Sequence, residues 1–259
     1  MVNALNTAAS GMEAQMEQID QITNNLANVN TAGYKRSRAE FQDLLYETLQ
    51  EPGANTSAQT QAPVGIQRGM GVKVAGTARN FEIGRPQSTK RDLDVYIQGD
   101  GFFVVQLPNG ENAYRRDGSF YRGSTGRLET IDGYPVQPEI EIPSNAGGVR
   151  IAEDGTVNIL NGSGSTAVGQ IQLATFVNNG GLKAMGKNLF TETEASGQAQ
   201  IATPGQNFTG GLMQGYLESS NVDMVREMTE MISAQRGFEM NSKVLQAVDS
   251  ILQHTSNIR

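Results

Sequence analysis

Apolar residues recur every seven positions at both ends of this chain, while its middle follows a different pattern. Leu5, Met12, Ile19 and Leu26 form one such line, and Met224, Met231, Phe238, Leu245 and Leu252 form the other. Beside the first line, three residues further on, run Ala8, Ile22 and Val29, with Gln15 interrupting. This a/d spacing predicts a helical seam rather than a broad globular face. One helix is expected from Val2 to about Thr31, stopped by Gly33, a residue type that enters the left-handed region at no steric cost. The other is expected from Asn221 to Asn257, capped by Ser220 or Asn221, with Asp223 and Glu227 favouring its N-terminal end through the helix dipole. Gly237 lies inside it at a cost of about 1 kcal/mol relative to alanine. Close packing on a neighbouring helix and simple tolerance in a long helix both account for it.

Between the helices the signals change twice. Residues 34 to about 50 keep helical spacing in Phe41, Leu44, Leu45 and Leu49, until Glu51-Pro52-Gly53 breaks it. Residues 52–71 are polar and carry glycine and proline, a loop of a length that is usually functional or disordered. From Val72 to about Thr203 the pattern is that of strands. Leu93 to Ile97 alternates, Phe102-Phe103-Val104-Val105 is an apolar run, and Ile171 to Val177 reads as one more strand. Asn109-Gly110, Asp117-Gly118, Asp132-Gly133 and Asp154-Gly155 punctuate them as hairpin turns. No helical stretch separates the strands, which predicts an antiparallel sandwich or barrel. The fold class is therefore α+β: terminal helices pairing as a coiled coil, with a central, mainly antiparallel β domain. The expected divisions are 1–33 with 221–259 for the helices, 34–71 with 204–220 for a connecting region, and 72–203 for the β domain.

Composition narrows the function classes. A net charge of -7 argues against nucleic acid as a partner, since phosphate neutralisation needs a basic face. The absence of cysteine removes disulfides, thiol chemistry and cysteine-ligated metal. No segment approaches the roughly 18 consecutive apolar residues of a membrane span. The first basic side chain is Lys35, so no cleaved secretory signal is expected.

The candidate chemistry is thin. Gly181 to Asn188 has the spacing of a phosphate-binding loop, but Asn188 stands where a hydroxyl must meet magnesium, and no helix pattern follows. A turn between strands is expected there. Asp92 and Asp94 flank Leu93 beside Arg91 and are expected to be solvated strand charges rather than an acid/base pair. His254 has no second histidine and no triad partner nearby. No catalytic, cofactor-binding or metal-binding residue is assigned, and no cofactor or enzymatic activity is expected. Met224, Met228 and Met231 suit either an adaptable partner surface or a core.

The run from Asn24 to Arg36, containing Asn24, Asn25, Leu26, Asn28 and Gly33, resembles the N-terminal signature of the rod, hook and hook-associated proteins of bacterial flagella. The likeness continues at Gln98–Phe103, at Tyr114–Phe120 with Asp117 and Gly118, and at Asp132–Pro138. It closes at Gly215–Asp223 and at Gln235–Lys243, which contains Asn241. Arg115, Glu129 and Gly237 depart from the usual threonine, apolar residue and alanine. Within the family the chain is similar to the distal-rod branch: its length suits that branch, and Tyr46 to Pro63, with Pro52 and Gly53, resembles the segment linked there to rod straightness and rigidity. The resemblance implies a tubular polymer whose inner wall is built from Leu5, Met12, Ile19, Leu26, Val29 and the Met224 line, around an export channel, with the β domain outward. It implies a drive shaft spanning the periplasm in the basal body. Its partners would be further copies of itself, proximal rod proteins, the hook protein, the P-ring and L-ring proteins and the flagellar type III export apparatus. Two alternatives stand beside this reading: a proximal rod or hook protein of the same family, and a non-flagellar β-domain binding protein dimerised by its helices.

Overall fold

The computed structural model describes residues 2–52, 55–57, 60–61, 64–144, 146–161, 164–207 and 209–257. The chain divides into two units: the first comprises 1–27, 37–78 and 223–259, and the second comprises 28–36 and 79–222.

The first unit holds helices α1 (Val2–Ala27) and α2 (Met224–Asn257), about 39 and 51 Å long at 1.5 Å per residue. They run antiparallel. Asn25 meets Glu227, while Gln15 lies against Gly237 and Gly11 against Asn241. Each step back along α1 is thus matched by an equal step forward along α2. The packed stripe uses small and polar residues: Ala8, Ala14, Ile22 and Asn25 are buried on α1, and Glu227 and Ala234 on α2. Asp223, rather than Ser220 or Asn221, caps α2. Its Oδ1 accepts from the amides of Val225 (3.0 Å) and Arg226 (3.3 Å), satisfying two of the helix's orphan donors.

α1 ends at Ala27, four residues earlier than its pattern suggests. Asn24, Asn25, Asn28 and Asn30 crowd this end with side chains that compete for backbone hydrogen bonds. The amide of Thr31 then closes a turn on Asn28 O (3.1 Å). Gly33 does take the left-handed region, at φ 67°, but in the connection beyond that turn rather than as the helix stop.

Residues 34–50 hold strands despite the helical spacing of their apolar side chains. They form β1 (Ser37–Asp43) and β2 (Tyr46–Gln50). β1 pairs with β6 (Val72–Arg79), some thirty residues away, and such non-local pairing overrides local spacing. The polar stretch that follows is a ribbon, not a structureless loop. β2 pairs antiparallel with β5 (Ile66–Gly69), and nearer the tip β3 (Asn55–Ser57) pairs with β4 (Thr60–Gln61).

Among the described residues the second unit carries fifteen short strands. In chain order they are β7 (Pro86–Ser88), β8 (Val95–Gln98), β9 (Phe102–Gln106), β10 (Asn112–Arg115), β11 (Phe120–Arg122), β12 (Leu128–Thr130), β13 (Gly148–Ile151), β14 (Thr156–Asn161), β15 (Gly164–Gln170), β16 (Leu173–Thr175), β17 (Lys183–Gly186), β18 (Leu189–Thr191), β19 (Gln200–Ala202), β20 (Gly211–Gln214) and β21 (Tyr216–Glu218). The main sheet has the order β17-β18-β10-β9-β16-β19, and its pairings are antiparallel. The apolar run of β9 explains its own lack of alternation. Phe103 and Val105 enter one core with Val95, Ile97, Phe120, Leu128, Ile159 and Leu212, while Phe102 and Val104 enter a second with Tyr114, Ala174 and Phe190. A strand buried on both faces has no reason to alternate. Edge-to-face ring pairs fix both cores, Phe103–Phe120 at 5.0 Å and Tyr114–Phe176 at 4.8 Å between centroids.

Candidate assembly site

Three separate pieces of the sequence converge on Glu218, which is buried in the second unit. Its Oε1 accepts from Lys35 Nζ (2.6 Å) and from the Gly84 amide (2.7 Å), and its Oε2 from Arg116 Nε (2.5 Å). Its carbonyl accepts from the Gly33 amide (2.8 Å). Lys35 spends its other donors on Glu82 O (2.6 Å) and Phe81 O (3.4 Å), and Arg116 donates to the carbonyls of Gly99, Gly101 and Ile97. Both cations are almost wholly buried. Burial pulls the Lys35 ammonium below the ordinary lysine range, and the Glu218 carboxylate opposes that shift. Around this cluster Asn221 accepts from the Arg36 amide (2.7 Å) and donates to Asn80 O (2.9 Å). Gly33 has no alternative residue type: a Cβ there would stand 2.6 Å from the Asp117 amide nitrogen. Signature residues 33–36, 99–101, 116–117 and 218–221 thus form one polar junction tying together strands far apart in sequence.

Asp117 holds this turn through Ser119, whose amide (3.0 Å) and hydroxyl (2.8 Å) it receives, and it also pairs with Arg115. Arg115 is buried, and its guanidinium pairs with Asp117. Gly118 accepts the Val95 amide (3.0 Å).

In the first unit Asn25 plays a similar part. Its Nδ2 donates to Ser37 O (2.8 Å) and Glu227 Oε2 (3.1 Å), and its Oδ1 accepts the Ser37 amide (3.0 Å), so α1 is joined to β1 and to α2. Leu5, Met12, Ile19 and Leu26 lie half-buried beside this stripe, as do Met231, Phe238 and Leu245, while Met224 and Leu252 are exposed. Val29 falls beyond α1, half-buried in the second unit. Asn24 is exposed, and Asn28 accepts from the Thr31 hydroxyl (3.1 Å).

The first unit exposes many large apolar side chains. On α2, Val225, Met228, Ile232 and Met240 stand open, and on the ribbon and its approach so do Leu45, Tyr46, Leu49, Val64 and Ile66. Leu45 is 85 % exposed. A two-stranded ribbon with exposed strands is marginal by itself, and exposed apolar side chains along it suit an interaction site. Tyr46 stacks over Gly69 and Pro52 crowds Gly65, while Gly53 and Pro63 lie outside the described residues.

The decoys resolve. Gly186, Lys187 and Asn188 all have positive φ and form the turn between β17 and β18; Lys187 pairs with Asp132 (2.9 Å) and Asn188 donates to Ala32 O (3.0 Å). Asp92 is exposed, but Asp94 corrects the expectation of a solvated charge: it is fully buried, with Arg91 3.3 Å from its Oδ1. Among the described residues no group of three or more His, Cys, Asp or Glu side chains is placed to hold a metal, and no helix is long and apolar enough to cross a membrane.

Comparison with known proteins bears on the same segments. Residues 5–35 match the family model "Flagella basal body rod protein", residues 96–159 match "Flagellar hook protein FlgE/F/G D1 domain", and residues 213–258 match "Flagellar basal body rod FlgEFG protein C-terminal". The chain is 50% identical to the flagellar basal-body rod protein FlgG of Caulobacter vibrioides over 261 residues, covering 100% of both chains. It is 46% identical to the FlgG of Borreliella burgdorferi, over 100% of this chain and 99% of that one. With the FlgG of Bacillus subtilis it shares 41% identity over 100% of both. End-to-end likeness at this level, running through the Glu218 junction and both helices, makes the chain a member of the flagellar basal-body rod protein family.

Proposed function

We propose that this chain is the structural subunit of the flagellar distal rod, a rigid tubular polymer that carries torque from motor to hook. The observation that carries this reading is the end-to-end match to the basal-body rod proteins, which covers 100% of this chain and 100% of the Caulobacter vibrioides relative. The exposed apolar face of α2 and the open ribbon supply the surface that polymerisation would cover. In this reading the terminal helices line the export channel, and residues 46–63 brace neighbouring copies and keep the rod straight. The subunit reaches the periplasm through the flagellar type III export apparatus, and its further partners are proximal rod proteins, the hook protein and the P-ring and L-ring proteins. Its work is mechanical, with no bond made or broken and no cofactor.

Charging the α2 face tests the assembly. The Met228→Glu/Ile232→Glu double variant is expected to keep the thermal melt of the second unit and to form no tubes by electron microscopy. Tubes of normal length from that variant would refute the interface. Deleting 46–63 separates rod from hook: a polymer as straight and stiff as the parent's would refute the bracing role.

A further inference from the structure

Two sequence peculiarities that look unrelated face each other. Gln15 interrupts the apolar line of α1, and Gly237 interrupts α2. A Cβ added at Gly237 would lie 3.2 Å from the Gln15 side-chain carbon Cδ, so the glutamine amide occupies the space the glycine leaves. The same device recurs about one turn away with the helices exchanged: a Cβ at Gly11 would lie 2.9 Å from Asn241 Nδ2. Two glycine gaps on opposite helices are thus each filled by a polar side chain from the other.

We propose that these reciprocal gaps, Gly237 with Gln15 and Gly11 with Asn241, form a size-matched lock that fixes the axial register of α1 against α2. Apolar heptads alone tolerate a slip of seven residues, because every heptad presents the same seam. A slip toward the Ile251 register would carry Gln15 onto Val244 and Asn241 onto Gln18 and set Ile22 and Val248 against the two glycines, while the opposite slip would set only Ala8 and Ala234 there. The first overpacks the seam and the second leaves voids, and both cost stability. The buried Asn25–Glu227 hydrogen bond acts in the same direction at the far end of the pair. The lock itself does not depend on the rod reading; only its consequence does, namely that every subunit presents its exposed α2 face at the same height to the next copy.

The chain has no cysteine, so an introduced pair reports register alone. Ala8 and Val244 line one groove of about 440 Å³ in the first unit, which makes Ala8→Cys/Val244→Cys the in-register reporter. Ala8→Cys/Ile251→Cys reports a slip of one heptad. In the full-length chain, oxidised under assembly conditions, the first pair is expected to close an intramolecular disulfide at least tenfold more than the second. Gly237→Leu adds four heavy atoms and should lower the in-register yield at least fivefold. Gln15→Ala removes four and, placed in the same chain, should restore it. An in-register yield unchanged by Gly237→Leu would overturn the lock, and so would failure of Gln15→Ala to restore it, including the case where Gly237→Leu does not fold. Electron microscopy of the same samples separates the two questions, since a preserved register without tubes counts against the rod reading and leaves the lock standing.

Discussion

Replacing Glu218 by glutamine keeps the shape of the side chain and removes one charge from a cluster in which two cations share one anion. The Gly84 amide keeps an acceptor, but Lys35 and Arg116 are left buried with no carboxylate between them. Removing one member of a buried ion pair destabilises by about 3–5 kcal/mol, because the partner's desolvation is no longer compensated. For a unit of this size each kcal/mol moves the midpoint by about 2–4 °C, so Glu218→Gln should lower Tm by about 6–20 °C. Lys35→Met removes one cation and leaves a one-to-one pair of Arg116 and Glu218, and it should cost clearly less. The sign of the pH dependence follows from the Lys35 shift. Its folded pKa lies below the unfolded value of 10.5, so between the two the unfolded chain binds more protons and stability rises with pH. Glu218→Gln removes the influence that holds this pKa up and should extend the rise to lower pH, while Lys35→Met should abolish it. Calorimetry of the three proteins from pH 7 upward measures both effects. A Glu218→Gln melt within about 1 °C of the parent would refute the argument, as would a Lys35→Met protein less stable than Glu218→Gln.

Three further outcomes follow from single contacts. Gly33→Ala and Gly133→Ala both place an alanine at positive φ, costing about 1–2 kcal/mol. Only the first also meets backbone, so urea titration should find Gly33→Ala the more damaging by a clear margin, and equal losses would contradict the close approach to Asp117. Tyr114 is pushed up to about 12, first by burial and then by Glu192, so the fold loses stability as pH rises from 10 through that value; Tyr114→Phe should flatten this loss in melts compared over that window, and identical curves would count against it. Asn25→Ala strips partners from the Ser37 amide and carbonyl and from Glu227, at about 1–3 kcal/mol for each buried group left unsatisfied. Hydrogen exchange at the Ser37 amide should quicken in that variant before exchange in the second unit does.

The helices and the β class were legible because their signals are periodic and local. Heptads at both ends require a partner, and Asn109-Gly110 and Asp154-Gly155 do turn hairpins, whereas Asp117-Gly118 lies between β10 and β11, which do not pair with each other. The strand character of residues 34–50 was not legible, because Phe41, Leu44, Leu45 and Leu49 sit at helical intervals while β1 gains its ladder from β6, beyond the ribbon. Of the two apolar lines read on α1, Leu5, Met12, Ile19 and Leu26 are half-buried in the subunit, while Ala8 and Ile22 of the second line are buried together with Ala14 and Asn25. Hydropathy points to Ala8 and Ile22 but not to Gly11, Gln15 and Asn25, whose part rests on small size and hydrogen bonding.

The Glu218 junction was hidden for another reason. Lys35, Arg116 and Glu218 each lie in a separate stretch that reads as an ordinary surface charge, and only the topology brings them together. Their arrangement also explains why the family's motifs are scattered through the chain. Gly33 is held to a residue without Cβ by Asp117, Gly99 and Gly101 present carbonyls to Arg116, and Asn221 fastens the strand approach to α2 onto residues 36 and 80. The polar atoms facing Glu218 are matched to one another. A buried network of this kind is stabilising only while every member is present, so it makes the unit brittle to substitution and definite in shape. A subunit that must transmit torque through many identical contacts gains from that definiteness, because play inside each copy would add up along the shaft. Most of the large apolar residues that stand exposed among the described residues lie on the first unit, many of them on α2 and the ribbon, where contact with another copy would complete the packing.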